Sequence, residues 1–277
     1  MSKSTLLLLL LLFSPALAEP TLSVMGNAEQ GWPLFVTVTA EPGATATIEW
    51  ADEEFDLTEG DDQGQLRTVL PVPRDLAPGK HQLVVRLADG QTLSRTIPVK
   101  SRNYGSQSIT LPESTLANYD NPQNKADDEA ILEALKPFDP EQRWHGQFHY
   151  PVEAPESTGY GLRRTYNGWK KSWHKGLDLA GWEGEAVLAP ADGVVLHTAR
   201  GIVNGNTVVI SHGLGVGSSY FHMNSIAVRE GQKVKRGQKI GTVGGTGGFA
   251  PHLHWEVRVF GHPIYPKAFF VIPKAWL

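Results

Sequence analysis

From residue 20 onwards the apolar residues of this chain come in short, β-branched runs, cut apart by glycine, proline and acidic turns. LFVTVTA (34–40), ATIEW (46–50), LRTVLPV (66–72), HQLVVRLA (81–88) and LSRTIPV (93–99) are separated by EPGA, EGDDQG, APGK and ADG. Runs of this length bounded by turn residues read as strands. Their regular spacing predicts a small immunoglobulin-like β-sandwich over 19–101, with Trp50 in its core. After residue 146 the same texture returns, with glycine turns throughout and no long helical period. The expected fold class is therefore all-β, in two domains. Between them, residues 102–145 read as a polar linker in which KADDEAILEALKPF (125–138) forms one short helix. Asp127, Asp128 and Glu129 sit in its first turn, and Pro137 closes it.

The N-terminus reads as an export signal. Lys3 precedes the apolar run Leu6–Phe13, and Ala16-Leu17-Ala18 offers a small-residue cleavage site. Residues 1–18 are thus expected to be removed, leaving a chain that begins at Glu19 in the periplasm or outside the cell. A run of eight residues is too short to span a bilayer, and no later segment is a candidate integral span. With no cysteine in the chain, neither disulfides nor an acylated N-terminal cysteine can hold or anchor it.

Charge is unevenly shared. Residues 19–118 sum to −7, 119–145 to −4, and 146–277 to +6. Opposite fields on one tethered chain would let residues 19–145 dock on the C-terminal domain through exposed charges. In that arrangement LANYDNPQNK (116–125) would lie nearest the site, with Asp120 or Asn121 able to reach it. A passive spacer is the preferred reading. The basic C-terminal domain favours an anionic partner; no nucleic acid is expected.

Nine of the ten histidines lie within 145–262, which directs the search for ligand spacing there. In PHLHWEV (251–257), His252, His254 and Glu256 alternate with Leu253, Trp255 and Val257. On a strand they form a polar row opposite a buried face. SWHKGLDLAG supplies His174 and Asp178 as H-x-x-x-D, and SSYFHMNSI supplies Tyr220 and His222. A catalytic zinc takes three protein ligands from His and Asp/Glu. Asp178 with two of these histidines would meet that need and leave two for proton transfer. His212 is expected to hydrogen-bond a turn. His145, His197 and His262 fit no ligand position, and His149 is a weak groove candidate.

The ordered set of motifs from about 150 to 268 resembles the lysostaphin/LytM-type zinc endopeptidases that cut peptidoglycan peptides. YGLRRTYNG (160–168), HKGLDLAGWEGEAVLAPADGVV (174–195), GNTVVISHG (205–213), YFHM (220–223), VREGQKVKRGQKIGTVGGTG (228–247) and PHLHWEV follow the family order. The resemblance implies an antiparallel β catalytic domain over 146–277. It implies one zinc held by His174, Asp178 and His254, with His252 and His222 flanking it in catalysis. Tyr220 falls on the tyrosine of the family's Y-x-H and is expected to help stabilise the oxyanion. Met223 replaces the usual Leu, and Ala250 a frequent Gly; neither is a ligand or proton-transfer position. Peptidoglycan stem peptides or cross-bridges are the implied substrates.

Two rival readings remain. Relatives that have lost ligands act as non-catalytic activators of other wall hydrolases, but all three ligand positions are present here. The REGQKVKRGQKIGTVGG stretch resembles a biotinyl or lipoyl carrier turn, yet Lys233, Lys235 and Lys239 lack the flanking residues of a modified lysine.

Overall fold

The structure, a computed structural model, describes residues 19–57 and 61–277. The expected signal, 1–18, lies outside the described residues. The first half carries β1 (Thr21–Gly26), β2 (Pro33–Thr39), β3 (Ala46–Trp50), β4 (Glu53–Leu57), β5 (Gln65–Pro71), β6 (Gly79–Leu87) and β7 (Thr92–Val99). They form two sheets, β1-β2-β5 and β4-β3-β6-β7, over a shared apolar core. In β3 the alternation is regular: Ala46, Ile48 and Trp50 point inward, and the Trp50 indole donates to the Pro71 carbonyl at 2.6 Å.

β2 breaks that alternation for a physical reason. Leu34, Val36 and Val38 face the sandwich core, while Phe35 turns the other way and is also buried. It packs into the core of the second half, edge-on to Trp276 at 5.1 Å and to Phe269 at 5.9 Å. Val69 on β5 does the same, and its amide donates to the Leu214 carbonyl. Strands β2 and β5 are thus covered on both faces, which is why LFV and VLPV are unbroken apolar runs. The halves join through apolar side chains, with few polar contacts such as His262–Glu53 at 2.9 Å.

The stretch read as a broken linker is structured. It contains β8 (Ser106–Ile109), α1 (Glu113–Asn118) and α2 (Pro122–Leu135). The helix begins earlier than the acidic turn suggested, because Asn121 caps it by accepting from the Gln123 amide and Pro122 opens it. α2 lies on the outer face of the C-terminal sheet, where Ile131 and Leu135 meet Val209 and Phe221.

The C-terminal half carries β9 (Glu156–Thr158), β10 (Arg163–Tyr166), β11 (Lys170–Trp173), β12 (Leu177–Leu179), β13 (Ala186–Leu188), β14 (Gly193–Gly201) and β15 (Gly205–Gly213). β16 (Val216–Met223), β17 (Ser225–Ile226), β18 (Lys233–Val234), β19 (Lys239–Thr242), β20 (Leu253–Val259) and β21 (His262–Ile264) complete it. The main sheet runs β18-β14-β15-β16-β20-β12-β9, with β21 on β20. β10 pairs antiparallel with β11 and parallel with β8, so the linker enters a sheet of the C-terminal half. Among the described residues the fold is all-β with two short α-helices. Among the described residues no helix is long and apolar enough to cross a membrane.

Phe35→Ala should cost about 3–5 kcal/mol, as for other buried aromatics. Denaturant unfolding measures it; a loss near zero would mean that the two halves do not depend on this contact.

Candidate metal centre

The antiparallel pairing of β12 with β20 sets Asp178 directly opposite His254. His174 arrives from the loop before β12, four residues ahead of Asp178. Gly176 lies between them because β20 passes too close for a side chain: a Cβ there would collide with the Trp255 carbonyl. The three donor atoms meet. His174 Nε2 is 2.8 Å from Asp178 Oδ1 and 2.9 Å from His254 Nδ1, and His254 Nδ1 is 2.7 Å from Asp178 Oδ1. Among the described residues this is the cluster able to hold a metal ion.

The outer partners fix which atoms face inward. His174 Nδ1 lies 2.7 Å from the Gly159 carbonyl, which can only accept, so the proton sits on Nδ1. His254 Nε2 faces the Glu256 carboxylate at 3.1 Å, so its proton sits on Nε2. In their neutral forms both rings therefore aim a lone pair at the same point as Asp178 Oδ1. Three lone pairs within 3 Å repel unless a cation lies among them, so the donor set suits a metal. Without one, a proton answers the same need. Burial alone would lower the pKa of His254, but its contacts with Asp178 and Glu256 outweigh this and raise it to about 9. Burial likewise opposes charge on Asp178, yet its close contacts with the His174 and His254 rings hold its carboxyl far below the usual range. His174 is shifted down, chiefly by burial.

Each carboxylate has its own guanidinium. Arg164 reaches Asp178 Oδ2 at 3.2 Å, and Arg258 Nε donates to Glu256 at 2.7 Å. Glu256 is 4% and Arg258 7% exposed, so this pair is a buried brace behind His254 rather than a surface salt bridge. Arg163 and Asn167 are structural. Arg163 donates to the Tyr104 carbonyl, and Asn167 bonds both backbone groups of Leu111.

His252 and His222 stand at the mouth of the cluster. His252 Nδ1 is tied to the Ala250 carbonyl at 2.8 Å, and its Nε2 lies 3.8 Å from Asp178 Oδ1. His222 Nδ1 is tied to the Thr246 carbonyl at 3.0 Å. In their neutral forms both present an Nε2 lone pair. Their rings are 4.8 Å apart. Burial, then the neighbouring His254 and His252 rings, push the pKa of His222 down to about 3, so it stays neutral.

Tyr220 does not line the cleft. The β16–β20 register pairs Tyr220 with Trp255 and Phe221 with His254, so Tyr220 shares the core face of Trp255. It is fully buried, and its hydroxyl bonds Ser218 Oγ at 2.7 Å. His222 reaches the cleft although it is two residues on. Its φ of 60° breaks the alternation and turns its ring to the same side as Phe221. Two other expectations also change. Asp120 pairs with Lys170 at 2.6 Å and Asn121 caps α2, so neither lines the cleft; Tyr119 and Asn124 do. His145, His149, His197, His212 and His262 lie outside it. His212 is buried between the Asp192 carbonyl and Ser218.

Residues 172–266 match the profile of Peptidase family M23. Over 94 residues the chain is 42% identical to the murein hydrolase activator NlpD of Escherichia coli, covering 34% of this chain and 25% of that one. Over 119 residues it is 41% identical to the peptidoglycan DD-endopeptidase ShyA of Vibrio cholerae, covering 42% of this chain and 28% of ShyA. The chain therefore spans about a quarter of the length of these curated relatives. A crystal structure of an M23 peptidase from Pseudomonas aeruginosa superposes with a TM-score of 0.61 at 26% identity, over 83% of this chain and 88% of that one.

Replacing Glu256 with Gln removes the charge that holds the His254 ring while keeping its shape. The affinity of the donor triangle for an added metal ion should fall about 10–100-fold, as for other partners of metal-bound histidines. Competition with a chelator measures it, and unchanged affinity would show that Glu256 does not orient His254.

Proposed function

We propose that this chain, which carries a peptidase M23 domain of the LytM type, is a zinc-dependent endopeptidase that hydrolyses peptide cross-links or bridges of bacterial peptidoglycan. The observation that carries the reading is the triangle of His174, Asp178 and His254 donors, with the far nitrogen of each histidine already committed to an acceptor. Such a set has little use except to hold a cation. Zinc there would polarise a scissile carbonyl and make a water acidic enough to react near neutral pH. The chain's own residues do the rest. His252 and His222, each with a free Nε2, take the proton of the attacking water and return it to the leaving amine. Arg164 and Arg258 hold Asp178 and Glu256 ionised, which keeps both ligand rings in place. In this reading the protein is exported behind residues 1–18 and meets its substrate in the periplasm or cell wall.

The similarity to NlpD favours a second reading, an activator of another hydrolase with no cleavage of its own. The complete donor triangle and the two flanking histidines support the enzyme instead. The purified protein alone on isolated sacculi separates the two: an endopeptidase releases muropeptides with split cross-links, and an activator releases none.

Within the enzyme reading, ligand and proton-transfer residues should respond differently. His174→Ala, Asp178→Ala and His254→Ala should each abolish stoichiometric zinc and cleavage. His222→Ala and His252→Ala should keep zinc and lose about 10²–10⁴-fold in rate. Zinc content and muropeptide release, measured on the same preparations, check this; near-normal cleavage by either of the last two would remove that histidine from the mechanism.

A further inference from the structure

The donors open into a cavity of about 490 Å³, and the wall of it that leads to His174 is strongly basic. Between Glu156 and Asp178 the chain has no acidic residue and five basic ones, Arg163, Arg164, Lys170, Lys171 and Lys175. The β10–β11 register sets Arg164 opposite Ser172 and Tyr166 opposite Lys170, and all four line the cavity. Alternation along the two strands sends Arg163 and Lys171 to the other face. Lys175 follows the donor His174 directly and lines the cavity as well.

Most of the lysines and arginines lining the cavity are already matched. Arg164 meets Asp178 at 3.2 Å, Lys170 meets Asp120 at 2.6 Å and Arg258 meets Glu256 at 2.7 Å. Lys175 is the exception. It is half-buried, yet among the described residues its ammonium has no carboxylate and no hydrogen-bond acceptor. We propose that Lys175 is a carboxylate-binding residue of the cleft, and that it selects cross-link peptides bearing a free carboxylate close to the scissile amide. The proposal rests on the peptidase reading of that site.

The place of Lys175 relative to the donors is fixed by its neighbours. His174 is bonded through both backbone groups: its amide donates to the Leu162 carbonyl at 2.9 Å, and its carbonyl accepts from the Gly161 amide at 2.8 Å. On the other side Gly176 is pressed against the Trp255 carbonyl of β20. Along the β12–β20 pair, Lys175 precedes the Leu177–Trp255 step and His252 precedes the Leu253–Leu179 step. The two side chains therefore flank the donors from opposite ends, and a peptide laid across the donors meets His252 at one end and Lys175 at the other. An ammonium partly withdrawn from water attracts a carboxylate more strongly than an exposed one, because less solvent screens the pair. A stem peptide with free carboxyl groups supplies that partner. A bridge made only of glycine has no carboxylate beside its internal amides and gains nothing from Lys175. The metal donors and the two histidines act on the amide itself and serve both kinds of substrate alike, so Lys175 is where this cleft can tell them apart.

Two full-length variants test this, with thermal melts to check that each is folded. Lys175→Met removes the charge and keeps the length of the side chain, and Lys175→Arg keeps the charge. The first readout is binding to the metal-free protein, by calorimetry, of a stem peptide with free carboxylates and of the same peptide with them amidated. The second is kcat/KM of the zinc-loaded protein on a soluble cross-linked muropeptide in the same two forms. The wild-type protein should prefer the acid form by about 10- to 100-fold in both, the range for a hydrogen bond to a charged group. Lys175→Met should bring the ratio close to one, and Lys175→Arg should keep most of it. A wild-type protein that binds both forms alike, or a preference that survives Lys175→Met, overturns the proposal. Charge-dependent binding that Lys175→Met abolishes, with no cleavage by any form, wild type included, keeps the carboxylate site and overturns the peptidase reading.

Discussion

Everything at the cleft depends on the register between β12 and β20. Because side chains alternate along a strand, that pairing decides at once which residues of PHLHWEV meet Asp178 and which meet the core. A slip of one residue would set Leu253 or Trp255 opposite Asp178 and bury the histidines. The register is held by the core face, where Leu253, Trp255, Val257 and Val259 are fully buried. The cohesion of the hydrophobic core and the placement of the donors are therefore the same fact seen from two sides of one strand.

The polar side of that strand solves an electrostatic problem in layers. Asp178 and Glu256 are each matched by one arginine, and each histidine spends its outer nitrogen on an acceptor. What remains unmatched is the cluster of inner lone pairs. The surroundings are close to charge-balanced, so positive charge placed among the donors would not be cancelled by nearby carboxylates. It would be felt by an incoming carbonyl in a setting where water screens poorly.

Much of this was legible in the sequence, for reasons that can be named residue by residue. The period of two in PHLHWEV is a local property of an extended chain, and it placed His252, His254 and Glu256 on one face. The strands read at 34–40, 46–50, 66–72, 81–88 and 93–99 were legible for the same reason. Tyr220 misled because alternation fails at one backbone angle: the positive φ of His222 puts it beside Phe221, and a non-glycine residue in that region leaves no mark in the sequence. β8 was missed because its partner strand begins more than fifty residues later, and SQSI has no pattern of its own. The unbroken runs LFV and VLPV did carry the signal that β2 and β5 are buried on both faces, a signal that the sandwich reading alone does not use.

The charge asymmetry was a weaker guide than it looked. Opposite net charges on the two halves suggested docking through exposed ion pairs, a contact that salt would weaken. The halves are instead joined by Phe35 and Val69 set into a core with Trp276, Phe269 and Leu214, which salt does not screen. Charge acts at a finer scale, where Asp120 and Asp128 of the segment between the halves meet Lys170 and Asn204. The division is physically sensible. A large apolar contact fixes the platform that carries the site, and polar contacts tie the segment between the halves to it. Net charge reports the sum over a surface, whereas a site is built from the few groups that lose their water, and only those are decided at the level of single residues.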